Sequence, residues 1–104
     1  MTDMKAMYIN KIHEIEKTFI EKLPKTITEV SEMTEIRARC GLYCDEIITI
    51  IKVVMSSDRV SYDEFTDIRK IADDTIINMG VEVDKLFNDF NYNLTKTIEA
   101  AAML

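Results

Sequence analysis

Two cysteines could carry chemistry, because Cys40 and Cys44 lie four positions apart, a spacing that places both thiols on one face of a helix. A structural zinc site needs four ligands, and beyond these cysteines the chain offers only His13 and carboxylates. Unpaired cysteine is among the most buried residue types. We therefore predict that both thiols are small apolar groups in a core, and that the chain binds no metal or other cofactor.

His13 is the only histidine, and Glu16 follows it three positions later. Di-iron helical bundles use Glu-x-x-His on two helices, but the residue three positions before His13 is Asn10. We therefore expect a surface ion pair between His13 and Glu16. A Gly-rich phosphate loop is absent, since Gly41 and Gly80 lie far apart. No nucleophile has an evident base nearby in sequence either. These patterns favour a protein that is not an enzyme.

The segment 60–65, Val-Ser-Tyr-Asp-Glu-Phe, resembles the end of an EF-hand calcium loop, with Glu64 in the place of its bidentate ligand. In that frame the first ligand position is Val53, and the required glycine is Asp58. Calcium needs several oxygen ligands, which this frame does not supply. We instead predict that Ser61 caps a helix and that the Glu64 side chain reaches back to it.

The carboxylates are arranged as a charged surface rather than as acid–base pairs. Adjacent residues on a helix diverge by about 100°, so Asp63 with Glu64, and Asp73 with Asp74, are expected on a solvated face. The chain has a net charge of −6, which disfavours direct binding to nucleic acid or anionic membranes. An alternative function is a phosphate-backbone mimic that blocks a nucleic-acid-binding partner, through the following acidic residues: Asp63, Glu64, Asp67, Asp73 and Asp74.

The apolar stretch 45–55 is the one around which we expect the other elements to be organised. Its polar residues recur at spacings of four, three and four, which is the pattern of one stripe of a helix. Those residues are Asp45, Thr49, Lys52 and Ser56. So narrow a polar stripe implies that most of the helix circumference is covered. We predict a long central helix over about 26–55 that starts at a capping box from Thr26 to Glu29. It is either bent near Gly41, where close packing would explain a glycine, or broken there.

Three further helices complete the predicted fold. The first covers about 2–23 and is ended by Pro24. The third and fourth flank Gly80, at about 61–79 and 83–101, although one kinked helix through Gly80 is an alternative. The chain is 47% hydrophobic and 31% charged and has few glycines and prolines, which indicates long regular elements. We predict an all-α bundle of about four helices forming a single domain, 1–104.

By elimination, the sequence favours a protein–protein interaction module that acts as a regulator, inhibitor or adaptor through a helical face. A homodimer is expected, with Ile47, Ile50 and Val54 available to the second molecule. The chain lacks a signal-type segment and an apolar run near 20 residues, so a cytoplasmic location without membrane contact is expected. Its richness in isoleucine suits a phage or bacterial accessory protein.

The competing functional hypothesis is a small-molecule binder. Methionine and aromatic side chains can line a pocket between helices, because thioethers adapt to the shape of a ligand. The residues that would line such a pocket are Met33, Tyr43, Met55, Met79 and Phe87.

Overall fold

The computed structural model describes residues 3–103, which form three α-helices: α1 (Met4–Lys22), α2 (Val30–Met55) and α3 (Tyr62–Ala102). The all-α prediction is confirmed, and no strand occurs within 3–103. Within 3–103 there are three helices where about four were predicted, because the predicted third and fourth helices are a single helix through Gly80, the alternative that the sequence left open. A glycine inside a helix costs about 1 kcal/mol. Burial of Met79 and Val83 on either side of Gly80 stabilises more than that.

Helix α1 is bounded by local interactions that the sequence contains. The Asp3 side chain accepts a hydrogen bond from the backbone N–H of Ala6 at 3.2 Å, which caps the first turn. The predicted start at Thr2 lies outside the described residues. At the other end Leu23 is extended, as expected for a residue before Pro24, and the helix ends at Lys22.

Helix α2 begins later than predicted, at Val30, and the capping box predicted at Thr26 does not form. The preceding residues 26–29 are not helical, and Ile27 among them is buried beside Phe90 at the end of the bundle. Instead, the Thr28 hydroxyl donates a hydrogen bond to Glu32 Oε1 at 2.8 Å. The helix then continues without a break through Gly41.

Helix α3 begins with the predicted capping box. The Ser61 hydroxyl accepts from the backbone N–H of Glu64 at 3.2 Å, and Glu64 Oε1 accepts from the backbone N–H of Ser61 at 3.1 Å. The negative charges of Asp63 and Glu64 also favour the positive end of the helix dipole. This start fixes the tight connection from α2, so that α2 and α3 form an antiparallel hairpin.

Helix α1 packs against α3 and runs parallel to it. Lys5 Nζ contacts Asp67 Oδ2 at 2.7 Å, and Asn78 Nδ2 donates to Glu16 Oε2 at 3.0 Å. Both pairs have the same sequence separation of 62, so the two helices keep one register over several turns. The resulting molecule is a thin rod of 69 × 19 × 19 Å. Within residues 3–103, no helix combines the length and the apolarity that a membrane span requires.

The longest helix and the main contributor to the core is α3, not α2. Helix α3 supplies seven buried residues, whereas α1 and α2 supply three each. The predicted central position of the stretch 45–55 is therefore wrong. Its polar stripe is exposed as predicted, but Ile48, Val53 and Met55 are exposed as well. Only two helices pack against α2, so one side of it remains open to solvent.

Candidate protein-binding surface

Helix α3 extends beyond the two helices that cover it. All of residues 91–103 are exposed, whereas the earlier part of α3 has a buried residue in every turn from Ile68 to Phe87. We call 91–103 the overhang and 3–90 the body. At 1.5 Å per residue the overhang is about 20 Å long. The overhang is uncovered because the helices differ in length: α1 has 19 residues and α3 has 41.

The apolar face of α3 does not end where its cover ends. Along the body the face contains Met79, Val83 and Leu86 and reaches half-buried Phe90. Steps of four, four and three residues then keep the same side of the helix, which is the spacing of a core face. The residues reached by these steps, which we call the overhang stripe, are Leu94, Ile98 and Ala101. Leu94 is 46% exposed and Ile98 is 60% exposed.

The overhang stripe begins at an open groove. Ile27, in the segment between α1 and α2, is buried beside Phe90 at the end of the body. Together with Leu94 and Thr97 it lines a groove of about 340 Å³. The groove and the stripe form one continuous surface with apolar side chains at its centre, and Thr and Asn side chains lie at its edge.

The charges of the overhang lie on the opposite side of the helix from the stripe. Lys96 and Glu99 are the only charged residues of the segment, and their side chains are 3.8 Å apart. Lys96 Nζ also lies 5.4 Å from the centre of the Tyr92 ring. Since Lys96 is two residues from both Leu94 and Ile98, it points about 160° away from both. The overhang stripe is therefore uncharged.

Of the three apolar residues predicted to face a second molecule, two are not on the surface. Ile47 is fully buried and Val54 is 2% exposed, and both belong to the hydrophobic core. Ile50 is half-buried and lines the open groove between α1 and α2 with Ile15 and Tyr43. The prediction of Ile47 and Val54 as partner contacts is corrected accordingly, since neither side chain is accessible in the folded chain.

The acidic residues proposed for a phosphate mimic are not brought together as a row of free charges. Asp67 is bonded to Lys5, and this contact raises the pKa of Lys5 above its usual value. Glu64 accepts a hydrogen bond within the capping box, and Asp73 Oδ2 lies 3.9 Å from Arg69 Nε. Asp63 and Asp74 are exposed. Positive side chains thus interrupt the acidic face.

The two cysteines lie half-buried on α2 and pack against the core, so they are less enclosed than predicted. Burial, together with smaller contributions from the neighbouring Cys40 and Asp45, raises the pKa of the Cys44 thiol from 9.0 to about 11. The protonated thiol is the weaker nucleophile and the weaker metal ligand. Within 3–103, no group of three or more His, Cys, Asp or Glu side chains is placed to hold a metal ion. His13 Nδ1 and Glu16 Oε1 lie 4.0 Å apart at the surface.

The five residues predicted to line a small-molecule pocket do not meet. Met55 lies beside Phe65 near the start of α3, and Phe87 lies 22 positions further along the same helix, or about 33 Å away. Met79 is fully buried within the core. The prediction fails because methionine and aromatic residues at helical spacing formed parts of a core that is spread along the rod.

One charged residue of α2, Arg37, lies in the apolar pattern of the helix and contacts the core. Arg37 breaks the apolar spacing of α2, and its guanidinium lies 4.9 Å from the centre of the buried Phe87 ring. A planar cation over an aromatic face is a favourable arrangement, worth about 0.5–1 kcal/mol at an exposed site. Arg37 thus helps close the body just before the overhang begins.

The overhang stripe was present in the sequence as the apolar spacing of the predicted fourth helix. Its exposure was missed, because spacing alone does not show where the covering helices end. The signal that could have revealed it is the shortness of α1, fixed by Pro24, beside the uninterrupted pattern from Phe65 to Ile98.

Comparison of the chain with protein-family models, curated proteins and solved structures gives no match in any of the three.

Proposed function

We propose that this chain is a protein–protein interaction module, a small regulator, inhibitor or adaptor, which binds through the overhang of α3. The observation that carries the proposal is the continuation of the core-forming face of α3 onto a segment where every described residue is exposed. Leu94 and Ile98 occupy positions that are buried one turn after another within the body. A helix face of this kind is suited to lie in an apolar groove or against another helix.

The amino-acid composition of the overhang suggests that its helix is stabilised when another protein surface covers it. Its first seven residues include two asparagines and two threonines, which are weaker helix formers than alanine or leucine. The overhang continues a helix that is already formed, so its stability depends on helix propagation and on packing of its side chains. Most helical stability in proteins comes from packing of an apolar face. The overhang therefore gains stability from a surface that covers Leu94 and Ile98.

The test compares two isoleucines of the same helix. Ile98 is 60% exposed on the overhang stripe, and Ile77 is 65% exposed on the side of α3 that points away from the core. We expect Ile98→Glu to abolish capture of partners from the native cell, because a carboxylate would have to be buried in an apolar contact. Ile77→Glu, the matched control, should capture the same partners as the wild type.

Both substitutions are at exposed positions, so circular dichroism and the urea midpoint should be nearly unchanged. If Ile98→Glu captures every partner that the wild type captures, the overhang stripe is not the binding surface and the proposal is wrong.

A further inference from the structure

Both cysteines and both glycines of the chain lie at one level of the groove between α2 and α3. Arg37 lies over the ring of Phe87, and this contact fixes the level of α2 against α3. Cys44 is seven residues after Arg37, and Gly80 is seven residues before Phe87. Because the two helices are antiparallel and rise equally per residue, Gly80 lies level with Cys44.

The two glycines leave open space beside the thiols. Each glycine is about one or two turns from the residue of that cation–π contact on its own helix, so both are on the sides of α2 and α3 that meet. A Cβ at Gly41 or at Gly80 would meet no atom within 4 Å. Gly41 follows Cys40 directly and is a surface neighbour of Cys44, three residues later. We call this place, formed by Cys40, Gly41, Cys44 and Gly80, the thiol notch.

The two thiols are too far apart for a direct bond and suit a bridge of one atom. The Cβ atoms of residues four apart on a helix are about 5–6 Å from each other. A disulfide holds its two Cβ atoms at about 3.5–4.5 Å. A direct bond between Cys40 and Cys44 would therefore require α2 to unwind at a point where it is continuous. A single atom between the two sulfurs supplies the missing length.

The surroundings of the thiols favour a bridge without charge. Burial is the main cause that raises the pKa of Cys44 to about 11, so a thiolate is disfavoured here. A soft monovalent ion on two thiolates would leave a negative charge beside Asp45. Zinc needs four ligands, and no group of three or more ligating side chains is assembled within 3–103. A trivalent arsenic atom that carries one organic group bonds two sulfurs and remains neutral.

We infer that the thiol notch binds a trivalent organoarsenical, with one arsenic atom bridging Cys40 and Cys44. A compound R–As(OH)₂ exchanges its two hydroxides for the two sulfurs, and each hydroxide leaves as water with one thiol proton. Arsenic stays trivalent, so no oxidant is consumed, and protonated thiols are the reacting form. The group R occupies the open space at the two glycines. This site is separate from the overhang and does not depend on the role proposed for it.

Intact-mass measurement with phenylarsine oxide tests the bridge. One equivalent should add the mass of the reagent less one water to the wild type, because its oxygen leaves with both thiol protons. The wild-type adduct should survive at least about tenfold more 2-mercaptoethanol than the adducts of Cys40→Ala and Cys44→Ala, since the second bond of a bridge re-forms within one molecule. Equal sensitivity of the three adducts overturns the inference.

The dependence on the fold is measured by urea unfolding with and without the reagent. The folded helix holds the two thiols at one separation, so the reagent should bind it more tightly than the unfolded chain and raise the urea midpoint. The double variant with Cys40→Ala and Cys44→Ala should show no change. A midpoint that falls in the wild type would mean that the bridge does not fit the helix, and the inference would be wrong.

Oxidised glutathione distinguishes the bridge from a direct disulfide. The folded wild type should form mixed disulfides with glutathione, whereas an internal disulfide between Cys40 and Cys44 should form mainly in urea. An internal disulfide that forms as fast in the folded chain as in urea contradicts the geometric argument and overturns the inference.

The open space is tested by Gly41→Leu, which fills it and keeps both thiols. Leucine is a good helix former, so the fold should be retained. We expect phenylarsine oxide to react with this variant at least about fivefold more slowly than with the wild type, and with Gly41→Ala, the matched control, within about twofold of the wild-type rate. A Gly41→Leu variant that reacts at the wild-type rate would rule out the thiol notch as the binding site.

Discussion

At the scale of single residues, two isoleucines of α3 with similar exposure differ in their position relative to the core face of the helix. Ile77 and Ile98 have similar exposure, but Ile77 points away from the core face and Ile98 lies on its continuation. Isolated exposed apolar residues are normal on protein surfaces, whereas a run of them along a core face indicates contact with something else. The relation of Ile98 to Phe90 and Leu94, rather than its exposure, is the reason why we propose it as part of a binding surface.

The raised pKa of Cys44 predicts a pH dependence of stability. The folded chain holds this proton more tightly than the unfolded chain, because burial disfavours the thiolate. The contribution is therefore complete below about pH 9 and is lost as the pH rises towards 11. The urea midpoint of the wild type should fall more steeply between pH 8 and pH 11 than that of Cys44→Ala, in which this group is missing. Parallel curves for the two proteins would contradict this expectation.

At the scale of elements, the sequence predicted helix ends well where a local interaction determines them. Pro24 ends α1 and the Ser61–Glu64 capping box starts α3, because both effects act within one turn. The prediction failed where contacts with residues distant in the sequence outweigh the local signal for a helix end. The Thr26 capping box gives way to burial of Ile27, and Gly80 does not end a helix whose neighbours on both sides are buried.

The two glycines inside helices are positions where alanine should stabilise the fold. A close approach of another backbone was expected at Gly41, but a Cβ at Gly41 or at Gly80 would meet no atom within 4 Å. Neither glycine has a positive φ. We expect Gly41→Ala and Gly80→Ala each to raise the free energy of unfolding by about 0.5–1 kcal/mol, since alanine loses less backbone entropy. Urea unfolding measures this change, and a lower midpoint in either variant would show that the glycine has another role.

At the scale of the whole molecule, the arrangement depends on how far the helices overlap, which periodicity does not encode. The all-α class and most of the core face of α3 could be predicted from spacing. The exposure of its last third could not, because it follows from the register between α1 and α3 and from the return of the chain at Ile27. For this reason two of the residues predicted to contact a partner, Ile47 and Val54 of α2, are ones that the other helices bury.

The body should fold without most of the overhang. A chain that ends at Leu94 retains every buried residue and the contact of Leu94 with the groove beside Ile27. We expect its free energy of unfolding to differ from that of the full chain by less than about 0.5 kcal/mol, when both are measured at dilute, monomeric concentration. A loss of more than about 2 kcal/mol would show that the overhang packs on its own body.

The rod shape affects how the mass of this protein is measured in solution. A compact chain of this length has a radius of gyration of about 13 Å, whereas this one has 18.4 Å. Greater length means greater hydrodynamic drag, so a 12.1 kDa monomer migrates through a gel-filtration column with heavier globular standards. An apparent dimer mass from elution volume alone is thus the expected behaviour of a single chain, and only a method that is independent of shape can count its copies.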